Sequence, residues 1–503
     1  MGDQNGGTST QKWAMFMAGL TLLQSLRVAL TGAKFALDRF KIPQQYASSF
    51  INMVHNPMEL ATFTGMAIVT SIALVTGDGS KNGFRYFAMF TNIALCCSFI
   101  LLLIAFKSGG QMGNLTFYYW SIVFGSFIYG MNVAAVMNVG SANAAFFNVG
   151  IPLSGIQVSI YYYVFTKLAE RYQWSNVSYR IIYWQLIVAI IISFASAAVW
   201  IIAYTPGGGG GSDTAPQDLG EDAALSPILM GMVGMGGIYA FYPAIAPYKL
   251  TDVGTGYKID LVVLFASAVP GILIAILCLY TDKGPDKNWR TNNAQWWHAS
   301  WILAIPHITA MILCLVTLHY PDGRVASSIK SSGLKVGVIT VTLKFCEEGL
   351  KAVSYAGAGK QVGKYCDCKE SNGCQQGCEC KKAGGGTCKC QETCICKDNC
   401  TCPCCKDKDG GAISSFNAFT SQGLMIVLAF TGDGYLKTYS KYEHDRSNWP
   451  TKDYGFWRSI SYWASNGAYV ACKSVKSSFT KNVRCKVLGK SEALLIVYED
   501  EEF

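Results

Sequence analysis

SIVFGSFIYGMNVAAVMNVGSANAAFFNVGIPLSGIQVSIYYYVFTK, residues 121–167, carries no charge before Lys167. Forty-six uncharged residues are enough for two membrane-spanning helices, which the sequence joins near Asn138–Asn143. Gly125, Ser126, Gly130, Ala134 and Ala135, then Gly150, Ser154 and Gly155, leave room for the close backbone approach that helix interfaces in lipid use. Asn132, Asn138, Asn143, Asn148 and Gln157 are costly against hydrocarbon, so they are expected to face protein or a wet cavity. Two readings follow from these amides. They glue helices together, or they line a polar path through a bundle.

Composition agrees with a membrane class. Hydrophobic residues make up 51% of the 503, and charged residues 15%, where a soluble chain would carry about a quarter. Apolar runs recur along the chain: Trp13–Thr31, Met58–Thr76, Phe84–Phe106, the two within the opening stretch, and Ile181–Tyr204. After them come Pro227–Pro247, Leu261–Tyr280, Trp296–Tyr320, Leu334–Tyr355 and Gly411–Phe430. The expected fold is an all-α membrane protein of about eleven spans in a six-plus-five, two-bundle arrangement of the major-facilitator kind, multi-pass in the lipid bilayer. Residues 1–204 form the first six-helix bundle and 205–226 a Gly-rich, acidic central linker. Residues 227–357 hold spans seven to ten, 358–410 a Cys-rich loop, 411–432 the last span, and 433–503 a basic, aromatic tail. The first run lacks a small-residue cleavage site and reads as a signal-anchor helix.

Five charged or titratable positions inside these runs are functional candidates. Arg27 either snorkels to an interface or touches substrate. His307 is either hydrogen-bonded to a neighbour or part of a proton relay. Lys344 can meet Glu347 and Glu348 at helical spacings of three and four, as a buried functional set if that run spans, or as a solvated face if it does not. Pro270-Gly271 predicts a kink in the eighth run.

Thirteen of the twenty cysteines lie within forty residues: Cys366, Cys368, Cys374, Cys378, Cys380, Cys388, Cys390, Cys394, Cys396, Cys400, Cys402, Cys404 and Cys405. Most fall in C-x-C pairs, with lysines such as Lys369, Lys381 and Lys389 between them. Soft thiolates at this spacing hold d10 ions such as Zn(II) or Cu(I), and the lysines keep thiol pKa low. A disulfide-stapled loop, S-acylation near the membrane, and compositional drift are the competing readings. In composition and C-x-C pattern the stretch resembles a metallothionein.

FGSFIYGMNVAA followed by VGIPLSGIQVSI resembles helices four and five of the equilibrative nucleoside transporters, which carry a Gly-rich helix and then a G-x-x-L-x-G run, here Gly150, Leu153 and Gly155. Gly19 and Leu22-Leu23 match part of that family's first-helix pattern, with Gln24 and Ser25 where it has Pro and Trp. Phe241-Tyr-Pro-Ala-Ile-Ala246 resembles the segment ending helix seven, and Gly423-Leu424 the step in the last helix. The family's Asp and Arg in helix eight have no equivalent between Leu261 and Tyr280. The resemblance implies a nucleoside or nucleobase transporter working by alternating access, with no cofactor required for transport and a site near the midplane. Candidate substrate residues are Gln24, Asn132, Asn148, Gln157 and Tyr239, because a nucleoside needs hydrogen-bonding partners and an aromatic platform. It also implies a cytosolic amino terminus and a plasma-membrane location, with the sequons Asn114-Leu-Thr and Asn176-Val-Ser outside. No nucleophile–base pair, Walker loop or Rossmann fingerprint is visible, so neither an enzyme nor a nucleic-acid partner is expected. A metal-handling protein whose helices form an anchor or a cation path is the alternative. The stretch from Lys473 to Lys490 is basic enough to lie on anionic lipid, or else belongs to a solvated tail.

Overall fold

The computed structural model describes residues 9–488 except 23, 25–27, 29–31, 44–46, 77–80, 111–113, 206–220, 244, 282, 288, 290–293, 362–363, 368–379, 382–392, 397–404, 408–409, 444–445 and 480–481. The helices of the first half are α1 (Ser9–Leu22), α2 (Ala33–Arg39), α3 (Ala47–Thr76), α4 (Lys81–Lys107), α5 (Leu115–Val139), α6 (Ala144–Arg171) and α7 (Val177–Tyr204). Those of the second are α8 (Leu225–Gly236), α9 (Val253–Tyr280), α10 (Ala304–His319), α11 (Gly333–Gly357), α12 (Gly410–Tyr442), α13 (Phe456–Ser478) and α14 (Val483–Leu488). Eight helices among the described residues are long and apolar enough to cross a bilayer. The helix α11 packs among them but carries too many charges to qualify by hydropathy, and α1 and α8 are shorter. Outward faces such as Ile191, Phe194 and Ile202 on α7, or Val262 and Phe265 on α9, are exposed, as a belt meeting lipid must be.

Helix pairing shows how the halves relate. In the first half α1 packs on α6, α3 on α5 and α4 on α5; in the second α8 packs on α12, α9 on α11 and α10 on α11. Substituting α8, α9, α10, α11 and α12 for α1, α3, α4, α5 and α6 turns one set into the other. The seams between halves obey the same exchange, because α3 packs on α12 as α6 does on α9, and α5 on α12 as α6 does on α11. The fold is therefore two bundles that repeat one pairing plan over five matched helices each, with α7 added to the first. The helix α7, packed on α1 and α4, lacks a counterpart in this scheme among the described elements.

Glycine permits the tightest seams. A Cβ at Gly130 would run into the Thr62 carbonyl, and one at Gly150 would come within 2.5 Å of the Phe16 carbonyl oxygen. Both lie in the small-residue stretch where the sequence predicts close approach, and the predicted two-helix hairpin is present as α5, a single 3-10 turn at Ser141–Asn143, and α6. That turn meets Gly359 and the start of α12 at Gly410, closing the seam at this end of the bundles.

Three expectations change. The seventh run is broken: α8 ends at Gly236, a turn spans Ile238–Phe241, and the chain then leaves helix until α9, because Pro243 and Pro247 cannot donate to a helical ladder. The next helix opens on Asp252, whose side chain accepts from Thr255 N–H and whose carboxyl is thereby held below the usual range. The last span does not end at 432 but continues to Tyr442. Beyond it the described part of the tail is folded. A Cβ at Gly434 would strike Gly467, so α12 and α13 cross in close contact, and His319, Tyr435, Trp449 and Trp463 stack around that crossing. In α14, Val483, Val487 and Leu488 are buried against the first bundle, and Arg484 donates to the Phe40 carbonyl at 2.8 Å. This part of Lys473–Lys490 therefore packs on protein.

The described backbone of the Cys-rich loop is a small antiparallel sheet of order β2-β3-β1-β4, with β1 Lys364–Asp367, β2 Cys380–Lys381, β3 Thr393–Cys396 and β4 Cys405–Asp407. Cys366 stands opposite Cys394 on one side and Cys405 on the other, and Cys380 opposite Cys396.

Candidate functional site

The tenth apolar run supplies the chemistry. Lys344, Glu347, Glu348 and Lys351 recur at intervals of three and four along α11, which places all four on one face. Lys344 donates to Glu347 and lies 3.5 Å from Glu348; Lys351 is 2.6 Å from Glu348 and 3.5 Å from Glu347. Side-chain exposure is 4–6% for the last three and 13% for Lys344, so the run is buried in protein and is not a solvated face. Two positive and two negative charges, each within reach of both opposites, balance the set.

Around this lattice stand residues from both bundles. Tyr239, in the turn after α8, interacts electrostatically with Lys344, Glu347 and Lys351 and, across the seam, with Glu59 of α3. Tyr129 of α5 lies near Tyr239, Glu59 and Gln422 of α12, and Gln422 also lies near Tyr355 of α11. Lys344 also lies 5.8 Å from the Tyr242 ring centroid. The break in the seventh run is what delivers Tyr239 and Tyr242 to this place. His307, fully buried on α10, directs Nδ1 at the Leu343 carbonyl at 3.2 Å, the hydrogen-bonded reading of that residue.

The sequence-chosen amides do not gather here. Gln24 donates to Gln157 at 2.8 Å across α1 and α6, and Asn132 to Thr91 at 3.2 Å across α4 and α5. Both pairs tie helices within the first bundle. Asn148 is fully buried on α6 beside Gly271 of α9, in the seam between bundles, with neither polar atom bonded to a described residue. Among the five, Tyr239 alone reaches the lattice. Arg27 lies outside the described residues. So do Cys368, Cys374, Cys378, Cys388, Cys390, Cys400, Cys402 and Cys404; Cys366, Cys380, Cys394, Cys396 and Cys405 are described in backbone alone. Among the described residues no cluster of three or more His, Cys, Asp or Glu is placed to hold a metal ion.

Sequence reasoning missed Glu59, Tyr129, Lys351, Tyr355 and Gln422. Lys351 was accessible as the next turn of the Lys344 face. Glu59 was masked because it sits at the edge of an apolar run, where charge is ordinary, whereas α3 begins twelve residues earlier.

No protein-family model and no curated protein sequence matches the chain. Among solved structures it is similar to a bacterial homologue of the iron transporter ferroportin in an outward-facing state, with 9% identity over 93% of this chain and 97% of that one at a TM-score of 0.48. It is also similar to the major facilitator superfamily proton:xylose symporter XylE, with 8% identity over 93% and 95% and a TM-score of 0.49. A third is the major facilitator superfamily transporter FucP in the outward conformation, with 10% identity over 93% and 99% and a TM-score of 0.45. At these levels the description of the chain as a two-bundle helical membrane protein rests on its own helix pairing.

Proposed function

We propose that the chain is a membrane transporter working by alternating access, and that its solute is a nucleoside or nucleobase bound between the bundles. The observation that carries this reading is a balanced, buried ionic lattice with phenols around it where the two bundles meet. Charged groups are expensive there and are the default mark of a solute pathway. Tyr239 offers an aromatic face for a base. Glu347, Lys351 and Gln422 offer acceptors and donors for ring nitrogens or sugar hydroxyls, in place of the Asp and Arg that helix eight lacks. Among the original candidates, Asn148 stands nearest the moving seam, while Gln24, Asn132 and Gln157 serve adhesion. The test is uptake of radiolabelled adenosine and uracil in a transport-deficient cell, by the wild type and by Tyr239→Ala and Glu347→Gln. Saturable uptake lost in both variants supports the site; no uptake of either probe by a surface-expressed protein rejects the nucleoside reading.

A second reading, metal binding by the Cys-rich loop, is favoured by the strand register. The C-x-C interval equals the two-residue strand period, so positions 366, 394, 396, 405 and 380 share one face of the sheet and 365, 381, 395 and 406 the other. Five cysteine positions on adjacent strands form a donor set for Zn(II) or Cu(I). Metal content measured on the purified chain, with and without residues 366–405, decides it. Stoichiometric metal that disappears with the segment supports the reading; equal content in both rejects it. The plasma membrane is the proposed location, and surface biotinylation checks it.

A further inference from the structure

Glu59 differs from every other carboxylate at the seam. Glu347 and Glu348 are each held by two lysines, but Glu59 has a single ion partner within 4.0 Å among the described residues, His55 at 3.6 Å. It is 8% exposed, on α3 of the first bundle, across from Tyr239 of the second. The groups facing it are His55 on its own helix, Tyr129 from α5, and Tyr239 from the turn after α8. Helices α2, α12 and α13 also pack on α3, and their described residues bring no charged group within ion-pair distance of Glu59. The lattice of α11 cannot neutralise it either, because both lysines there are already matched. A carboxylate buried to this extent with only a histidine beside it therefore needs a proton or a passing cation.

His55 supplies the route. It lies one helical turn before Glu59, toward the face opposite the linker, with 28% of its side chain exposed against 10% for Glu59. An imidazole that is partly exposed on one side and meets a carboxylate on the other can take a proton from either side and pass it to the other.

We propose that Glu59 binds and releases a proton once per transport cycle, with His55 linking it to water, so that solute movement is coupled to a proton gradient. This rests on the transporter reading. The proton enters through His55, neutralises Glu59 while the seam is closed around the solute, and leaves when the bundles reopen; no bond of the solute is made or broken. Glu59 itself does not hold the solute, which sets it apart from Tyr239 and the lattice.

The full chain in proteoliposomes, with radiolabelled adenosine and uracil as probes, tests the idea. An inward proton gradient of one unit should drive accumulation of up to about tenfold for one proton per solute. Glu59→Gln should abolish accumulation while exchange of internal for external probe continues, and His55→Gln should slow gradient-driven uptake more than exchange. Uptake that follows membrane potential but ignores the pH gradient, or accumulation that survives Glu59→Gln, overturns the proposal. A second measurement needs no solute. Infrared difference spectra of the purified chain across a pH titration should show a protonated carboxyl band missing from Glu59→Gln, and absence of that difference also overturns it. If neither probe is transported by the wild type but the band is present, the nucleoside reading fails and the proton site stands.

Discussion

The two bundles share one pairing plan yet join their helices with different chemistry. In the first, Gln24 bonds Gln157, Asn132 bonds Thr91, and Thr62 donates to Met58 and Ser126, all neutral contacts. In the second, the helix matching α5 is α11, and its buried face carries four full charges. Neutral amides and hydroxyls are enough to hold helices together in lipid. A buried ion set is no better at that task than apolar side chains of similar volume. The difference teaches that adhesion accounts for the amides and hydroxyls of the first bundle, the His55–Glu59 pair apart, and leaves the charges of the second unexplained unless they meet a solute.

Several variants would break or sharpen that contrast. Lys351→Ala leaves Glu348 without its nearest cation and should cost about 3–5 kcal/mol, read as a fall in thermal unfolding temperature of the purified protein. A drop no larger than that of the first bundle's amide variants would erase the contrast. The paired change Glu348→Leu with Lys351→Met should restore most of that stability while uptake remains lost; recovered uptake would return the lattice to a purely structural part. Gly130→Ala drives a Cβ into the Thr62 backbone carbonyl and should cost about 1–3 kcal/mol. Gly349→Ala on the matching α11 meets the end of the Leu303 side chain at 2.9 Å, a group that can rotate away, so its unfolding temperature should move much less. The smallest effect is expected from a double-mutant cycle of Gln24→Leu and Gln157→Leu, with a coupling of about 0.6 kcal/mol in the same assay.

Much of this architecture was readable from residue order. Uncharged runs placed the spans, Gly130 and Gly150 marked real close approaches, and Lys344 did meet Glu347 and Glu348. The failures have physical reasons. Hydropathy reports that Asn132 and Gln157 avoid lipid, but a helix partner and a wet cavity satisfy an amide equally well, so the sequence alone could not separate them. Pro243 and Pro247 looked like the end of a span, whereas they break it early and turn Tyr239 inward. The tail read as basic and aromatic, and the aromatic side of α13, with Trp463, is the one that α12 covers. The C-x-C interval was read for its metal spacing, although it is equally the repeat of a β-strand.

The base of the Cys-rich loop has a practical consequence. Gly359 and Gly410 approach so closely that a Cβ on the first would come within 2.7 Å of the other's carbonyl oxygen. Lys364 and Asp407 are paired just above them, and Gln361 is fastened to Lys287 and Trp289. The insertion thus leaves and re-enters the membrane domain through a single pinch point. It could be cut out after Gln361 and the ends rejoined with a short bridge, or exchanged for another small domain, without changing the distance the two flanking helices must span. Such a cassette can be removed or replaced as a unit, with the helices beneath it left as they are.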